Sequence, residues 1–381
     1  MRSLQIPTLT HTEIEIPVEL SGLRGLMFNL WWTWSHPAHR LFHRIDPVRW
    51  QHYHNPVELL LNLEAHRWEQ LLLDDAFLAQ YRDVMDDFER YMSEDAETWF
   101  GRTHPDHAGG PVAYFSTEYG WHDALGIYSG GLGILSGDHC KSASDEGIPF
   151  VGVGLMYRRG YFLQTIDADG HQQHFYPDYD VRRLPLQLVA TEDGREATVD
   201  VPLHDRTVRV RMWLAQVGRV PVLLLDSDLL ENAPQDRPIT SILYVRGREM
   251  RLCQEILLGI GGVRALRALG IEPSVWHMNE GHSALMALER ARERVEKDHV
   301  PFEAALARTR TDTVFTTHTP VPAGNETFDT GLVRKYFEGF ASTVGTTIDD
   351  LLALGRVPEA DGGDDGFNLT ALAIRTSSAT N

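Results

Sequence analysis

The residues of this 381-residue chain that could do chemistry fall in four short polar clusters, three of them directly after an apolar run. Ser116-Thr117-Glu118 follows Val112 to Phe115, Asn279-Glu280-Gly281-His282 follows Val275 to Met278, and His318 follows Thr313 to Thr317. The fourth is the glycine loop Ser129-Gly130-Gly131-Leu132-Gly133, which opens a helical pattern. The first N–H groups of a helix have no partner within the helix, and glycine lets a ligand approach the backbone, so this loop is suited to holding an anion. Which anion, and for what reaction, has to come from the rest of the chain.

Two phosphate motifs can be tested against the loop. A P-loop needs lysine directly after its last glycine, but Gly137 is followed by Asp138, and Lys141 comes three residues too late. The dinucleotide fingerprint is nearly met by Gly131-x-Gly133-x-x-Ser136. The loop nevertheless begins some ten residues beyond its strand, and the next strand ends Gly152-Val153-Gly154-Leu155 without an acid.

The elements that must position these clusters read as an α/β protein. Strand Val112 to Phe115, glycine loop, helix and strand Ile148 to Leu155 form a βαβ unit, which implies parallel pairing. From about 157 to 226, turn pairs such as Asp169-Gly170, Asp193-Gly194 and Val217-Gly218 punctuate alternating segments, an antiparallel insertion. It returns to a buried strand at Val220 to Leu225. Residues 227–246 read as a mobile functional loop, and Glu249 to Leu269 as one long helix ended by Gly270. Ligands of open α/β sheets sit beyond the carboxyl ends of the strands, so Glu118, the Gly130 loop, Asn279 to His282 and His318 outline one cleft.

Residues 1–105 form a separate, tryptophan-rich helical domain, bounded by the Gly101 to Gly110 loop, and 106–381 form the α/β lobe. Leu20, Leu23, Met27, Leu30, Trp31 and Trp34 recur at helical spacing behind Ser21 as N-cap, a packed core face rather than a sugar platform. Two further helical patterns run from Pro56 to Leu73 and from Phe77 to Trp99. His36, His39 and His43 lack a convergent further ligand, and Asp361 to Gly366 lacks calcium-loop spacing, so no metal site is expected.

A formal charge of −19, from 54 acidic and 35 basic residues, excludes nucleic acid and anionic membranes as natural partners. Two cysteines, Cys140 and Cys253, in apolar helical settings read as buried thiols of a cytoplasmic protein, with no signal peptide or membrane-length run. The three lysines, Lys141, Lys297 and Lys335, read as solvent-exposed.

With these blocks in view, the run STEYG…IYSGGLGILSGDHCKSASDEGIPFVGVGLMYRRGYF closely resembles the α-glucan (glycogen) phosphorylases. VWHMNEGHSALMALER, FTTHTPVPAGNETF and EMRLCQEILLGIGG resemble three further blocks, and the first hundred residues resemble the extra N-terminal domain of the bacterial branch. The resemblance implies the N-terminal Rossmann-like lobe of a two-lobed GT-B glycosyltransferase fold. It also implies phosphorolysis of α-1,4-glucan by phosphate to glucose 1-phosphate with pyridoxal phosphate, and it admits a homo-oligomer of the full-length enzyme.

By the same resemblance, Gly130, Gly131, Leu132 and Gly133 would offer backbone N–H groups to the cofactor phosphate region. Glu118 and Tyr119 would stand near that phosphate, Glu118 in a catalytic role and Tyr119 as a cofactor contact. His318 would hold the transferred sugar through its carbonyl, and Asn279 and His282 would bind substrate. Glu280-Gly281 stands where animal and plant members have Asp-Thr, and Ile134 where they have arginine. None of the three lysines has the setting of the Schiff-base lysine, and the chain ends within the apolar run Phe367 to Ile374 and beyond it to Asn381 without a helix stop. The expectation is a C-terminal lobe absent from this chain, which alone is then inactive. Other readings are a non-catalytic glucan-binding module and a nucleotide-sugar glucosyltransferase of the same fold, the latter disfavoured by the missing Lys-x-Gly-Gly loop.

Overall fold

The computed structural model describes residues 4–9, 12–93, 97–319, 325–358 and 366–381. Six parallel strands form its centre: β1 (Val112–Phe115), β2 (Phe150–Leu155), β3 (Val220–Asp226), β4 (Val275–Asn279), β5 (Thr313–Thr316) and β6 (Ala379–Thr380). Their spatial order is 3-2-1-4-5-6, with Ala113 of β1 opposite both Val151 and Trp276. Every residue of β2 and β3 is buried, as continuous apolar runs must be when both faces of a sheet are covered. This is the order of a doubly wound sheet. The chain leaves β1 toward β2 on one side and later crosses to β4 on the other, opening a crevice between the carboxyl ends of β1 and β4.

The antiparallel insertion extends the same sheet past β3. Arg206–Val217 pairs with β3, Thr198–Leu203 and Gln187–Val189 pair with Arg206–Val217, and Thr8–Leu9 pairs with Gln187–Val189. Leu163–Ile166 and Gln172–Phe175 form a separate exposed hairpin. One turn was not legible: His204, at φ +52°, joins the Thr198–Leu203 and Arg206–Val217 strands without a glycine.

The long helix expected after the insertion is present, with one π turn inside it. Arg248–Ile256 passes through a π turn, Leu257–Gly261, into Gly262–Ala268. Glycines seat it: a Cβ on Gly262 would lie 2.5 Å from the Phe115 ring, and one on Gly259 would lie 2.6 Å from the Met286 nitrogen. Residues 227–246 are pinned rather than loose. Asn232 Nδ2 donates to the Arg209 and Ser227 carbonyls, and the Ser227 nitrogen donates to Thr240 Oγ1.

The single helix expected from Leu20 to Trp34 is broken. Leu23–Phe28 starts at Gly22 rather than Ser21, and Asn29 interrupts it in extended conformation before the turn Leu30–Thr33. The reason is a competing use of the Asn29 side chain. Its Oδ1 accepts from the Trp31 and Gly218 nitrogens and its Nδ2 donates to the Gly218 carbonyl, tying this layer to the insertion. Pro56–Leu61 and Ala65–Leu72 replace one helix by two, and the third is Asp75–Met92. Trp31 and Trp32 are buried against Phe88, Tyr91, Phe42, Trp50 and His122, a packed core face.

The expectation of an apolar C-terminal run without a helix cap or stop is also corrected. Asn368 caps Leu369–Arg375, Thr376 ends it, and β6 follows as a sheet strand beside β5. The acidic 361–365 segment lies outside the described residues. Both cysteines are free and buried, and among the described residues no helix is long and apolar enough to cross a membrane.

Candidate active site

The cradle begins where β1 ends. Glu118 is buried, and its carboxylate joins two segments: Oε2 accepts from the Ser129 nitrogen at 2.6 Å and Oε1 from the Tyr244 hydroxyl at 2.6 Å. Burial and the Glu118 charge both push the Tyr244 phenol up, so Tyr244 remains the donor. A Cβ on Gly133 would meet Tyr128 Cβ at 2.5 Å and Glu118 Oε2 at 2.9 Å, so Gly133 is glycine because of packing. Gly130 and Gly131 are different, since nothing lies within 4 Å of where their Cβ would be.

The helix that starts here, α1 (Gly131–Glu146), has no side-chain cap at Gly130. The Gly131, Leu132 and Gly133 amides have no hydrogen-bond partner among the described residues at the positive end of a 16-residue helix, and the space beside Gly130 and Gly131 is clear. An uncapped helix start with cleared space beside it is suited to an anion.

Across the crevice, Asn279 is fully buried at the end of β4. Its Nδ2 donates to Ser136 Oγ of α1 at 2.9 Å and to Ser116 Oγ at 3.2 Å. Its Oδ1 can only accept, so His318 Nε2, 2.8 Å away, donates to it. One amide thus links β1, α1, β4 and the turn after β5. Glu280 completes the link from a backbone that side chains rarely adopt, φ +63° and ψ 170°. Its Oε1 accepts from the His318 nitrogen at 2.5 Å and the Thr319 nitrogen at 3.0 Å, and its Oε2 from Thr317 Oγ1 at 3.2 Å.

His282 belongs to a second polar group. Its Nδ1 lies 3.2 Å from Glu255 Oε1, and Arg251 reaches Glu255, Glu326 and His282 at 3.2–3.4 Å while lying over the Tyr244 ring. Burial pushes the Glu255 carboxyl up against the pull of His282 and Arg251. Leu132, Tyr244, Arg251, Glu280, His282 and Thr319 line one open cleft of about 610 Å³.

The structure brings Glu118, the 130–133 amides, Asn279, His282 and His318 to one rim. Tyr119 does not join them. It is fully buried, stacks on Trp121 at 4.9 Å, and its hydroxyl is on the Tyr114 and Val153 carbonyls within the sheet. Lys141 is not solvent-exposed as expected: its Nζ is half-buried on the Trp121 carbonyl at 2.9 Å, and burial lowers its pKa. Lys335 pairs with Glu249 and Lys297 is exposed.

Sequence reasoning passed over Tyr244, Arg251, Glu255 and Ser136. Arg251 and Glu255 had a signal, opposite charges four residues apart in a largely apolar helix, whereas Tyr244 had none.

The fold and rim define an α/β protein with a polar crevice at the switch point of a doubly wound sheet. Comparison with known proteins narrows this. A family model described as "Protein of unknown function (DUF3417)" matches residues 16–125. The chain is 45% identical over 367 residues to the maltodextrin phosphorylase of Thermococcus litoralis, covering 96% of this chain and 43% of that protein. It is 42% identical over 384 residues to the glycogen phosphorylase of Mycobacterium tuberculosis, covering 96% and 44%. It is 34% identical over 361 residues to the glycogen phosphorylase of Aquifex aeolicus, covering 94% and 51%. By sequence, nearly the whole chain is similar to maltodextrin and glycogen phosphorylases, and it spans about half the length of these relatives or slightly less.

Proposed function

We propose that these residues form one wall of an α-1,4-glucan phosphorylase site, on the N-terminal Rossmann-like lobe of a GT-B fold. The observation that carries this reading is the uncapped start of α1, with Gly130 and Gly131 facing open space beside the Asn279–His318 pair. The Gly131 to Gly133 amides bind and orient a phosphate group. The His318 carbonyl and the Asn279 and His282 side chains hold the glucosyl unit at the chain end of the glucan. Glu118 fixes the cradle loop against Tyr244, and Glu280 fixes the His318 turn.

Pyridoxal phosphate fits this cradle through its phosphate, by the free amides and the cleared glycine positions. When bound it would supply a phosphate group that exchanges a proton with inorganic phosphate. Its covalent attachment is not supported by the residues present, because Lys141, the lysine nearest the loop in sequence, is spent on the Trp121 carbonyl. One wall alone does not supply the positioning and charge stabilisation that carry the rate.

The test is a titration of the 381-residue chain with pyridoxine 5′-phosphate and with maltoheptaose, alongside an assay for glucose 1-phosphate from maltodextrin and phosphate. The expected result is saturable binding of the phosphate ester and no product. Absence of binding contradicts the cradle, and product release contradicts the one-wall reading.

A further inference from the structure

A second cavity, of about 390 Å³, shares no lining residue with the cleft above. It lies between the long helix with its π turn, the helix Thr330–Thr343 and the His204 turn. Its apolar surface comes from Ile256, Ile260 and Phe337, and its charged surface from Arg264, Arg292 and Lys335. No lining residue is acidic, in a chain whose formal charge is −19. Two of the cations share one buried carboxylate, since Glu289 accepts from Arg264 at 2.8 Å and from Arg292 at 2.9 Å. The remaining partners, Glu296 and Glu249, are exposed, and such pairs hold weakly in water. The carboxylates that pair these three cations lie outside the lining, so it is the cations that face the cavity.

Gly339 is the independent observation. It is exposed within the helix Thr330–Thr343, at the cavity wall, and nothing lies within 4 Å of where its Cβ would be. A glycine at such a helix position costs roughly 1 kcal/mol against alanine, and no packing contact here requires it. Its effect is to leave the cavity wall clear. Ile260 is presented by the π turn, a distortion often found at functional sites.

We propose that this cavity is a binding site for a small amphiphilic anion. An aromatic or aliphatic body rests on Ile256, Ile260 and Phe337, and a phosphate, sulfonate or carboxylate group sits among Arg264, Arg292 and Lys335. The inference does not rest on phosphorolysis. The probe is 8-anilinonaphthalene-1-sulfonate, titrated by fluorescence into the 381-residue chain, with phenyl phosphate as competitor and thermal melts as control. The wild-type chain is expected to show one saturable site that phenyl phosphate empties. Gly339→Phe should fill the space and weaken binding about 10-fold or more with a melt that holds or rises, and Lys335→Gln should weaken it several-fold at low salt only. Unsaturable binding, or an affinity unchanged in Gly339→Phe, overturns the proposal. If Gly339→Phe does not fold, Lys335→Glu decides: weaker binding supports the site and unchanged binding overturns it.

Discussion

Gly131→Asp separates the needs of the fold from those of the ligand at the cradle. No atom lies within 4 Å of the position a Cβ would take, so the new side chain enters without a clash. A carboxylate in the first turn of α1 complements the helix dipole by about 0.3–1 kcal/mol, so the melting temperature should hold or rise. The same carboxylate competes for the amides that would bind phosphate. At about 4 Å and an effective dielectric near 20, two unit charges repel by about 4 kcal/mol. Solvent at an open helix end reduces this, leaving roughly 2–3 kcal/mol, or about 30–150-fold in affinity. Gly131→Asn supplies the same shape without the charge and should lose far less. Calorimetric titration with pyridoxine 5′-phosphate, beside thermal melts of all three chains, reads both effects. Equal affinity in Gly131→Asp and wild type, or a marked loss of stability, would refute the reasoning.

Asn29→Ala removes the buried bonds to Gly218 and Trp31 and leaves backbone groups unpaired, so urea unfolding should show a loss of about 2–4 kcal/mol. Glu280→Ala should cost about 1–3 kcal/mol and speed amide hydrogen exchange at His318 and Thr319, whose N–H groups it leaves without acceptors, while Glu280→Gln should restore much of the protection. Burial holds His277 and His122 neutral, with pKa values lowered to about 4. The unfolded chain takes up these protons first, so stability is full above about pH 6.5 and falls as pH drops toward 4, by on the order of 3 kcal/mol for each group. Urea midpoints from pH 7.5 to 4 should fall, and less steeply in His277→Gln; a flat profile would contradict this.

Five of the six parallel strands were legible as apolar runs, some ending in a polar cluster, as at Phe115–Ser116 and Met278–Asn279, whereas β6, only Ala379–Thr380, was not. The strand order was not, since nothing local in the sequence states that β4 pairs with β1 rather than with β3. The N-terminal helix was misread because periodicity counts Leu30 and Trp31 as one face with Leu23, while the long-range bonds of Asn29 to Gly218 end the helix between them. At the site, the glycine loop and Asn279 announced themselves by composition. Tyr244 did not, because only the folded chain carries its hydroxyl to Glu118 across 126 residues. Tyr119 follows Glu118 in sequence, yet alternation along the chain turns it into the core, where Gly152 and Gly154 make room for its ring.

The central claim is that the start of α1 is the phosphate side of the site, and the amide resonances of Gly131, Leu132 and Gly133 report on it directly. In a transverse-relaxation-optimised nitrogen–proton spectrum of the 43.1 kDa chain, inorganic phosphate should move these three signals in a saturable way, and Gly131→Asp should abolish the shifts at Leu132 and Gly133. Signals at 131–133 that stay in place while phosphate shifts residues elsewhere would contradict the account.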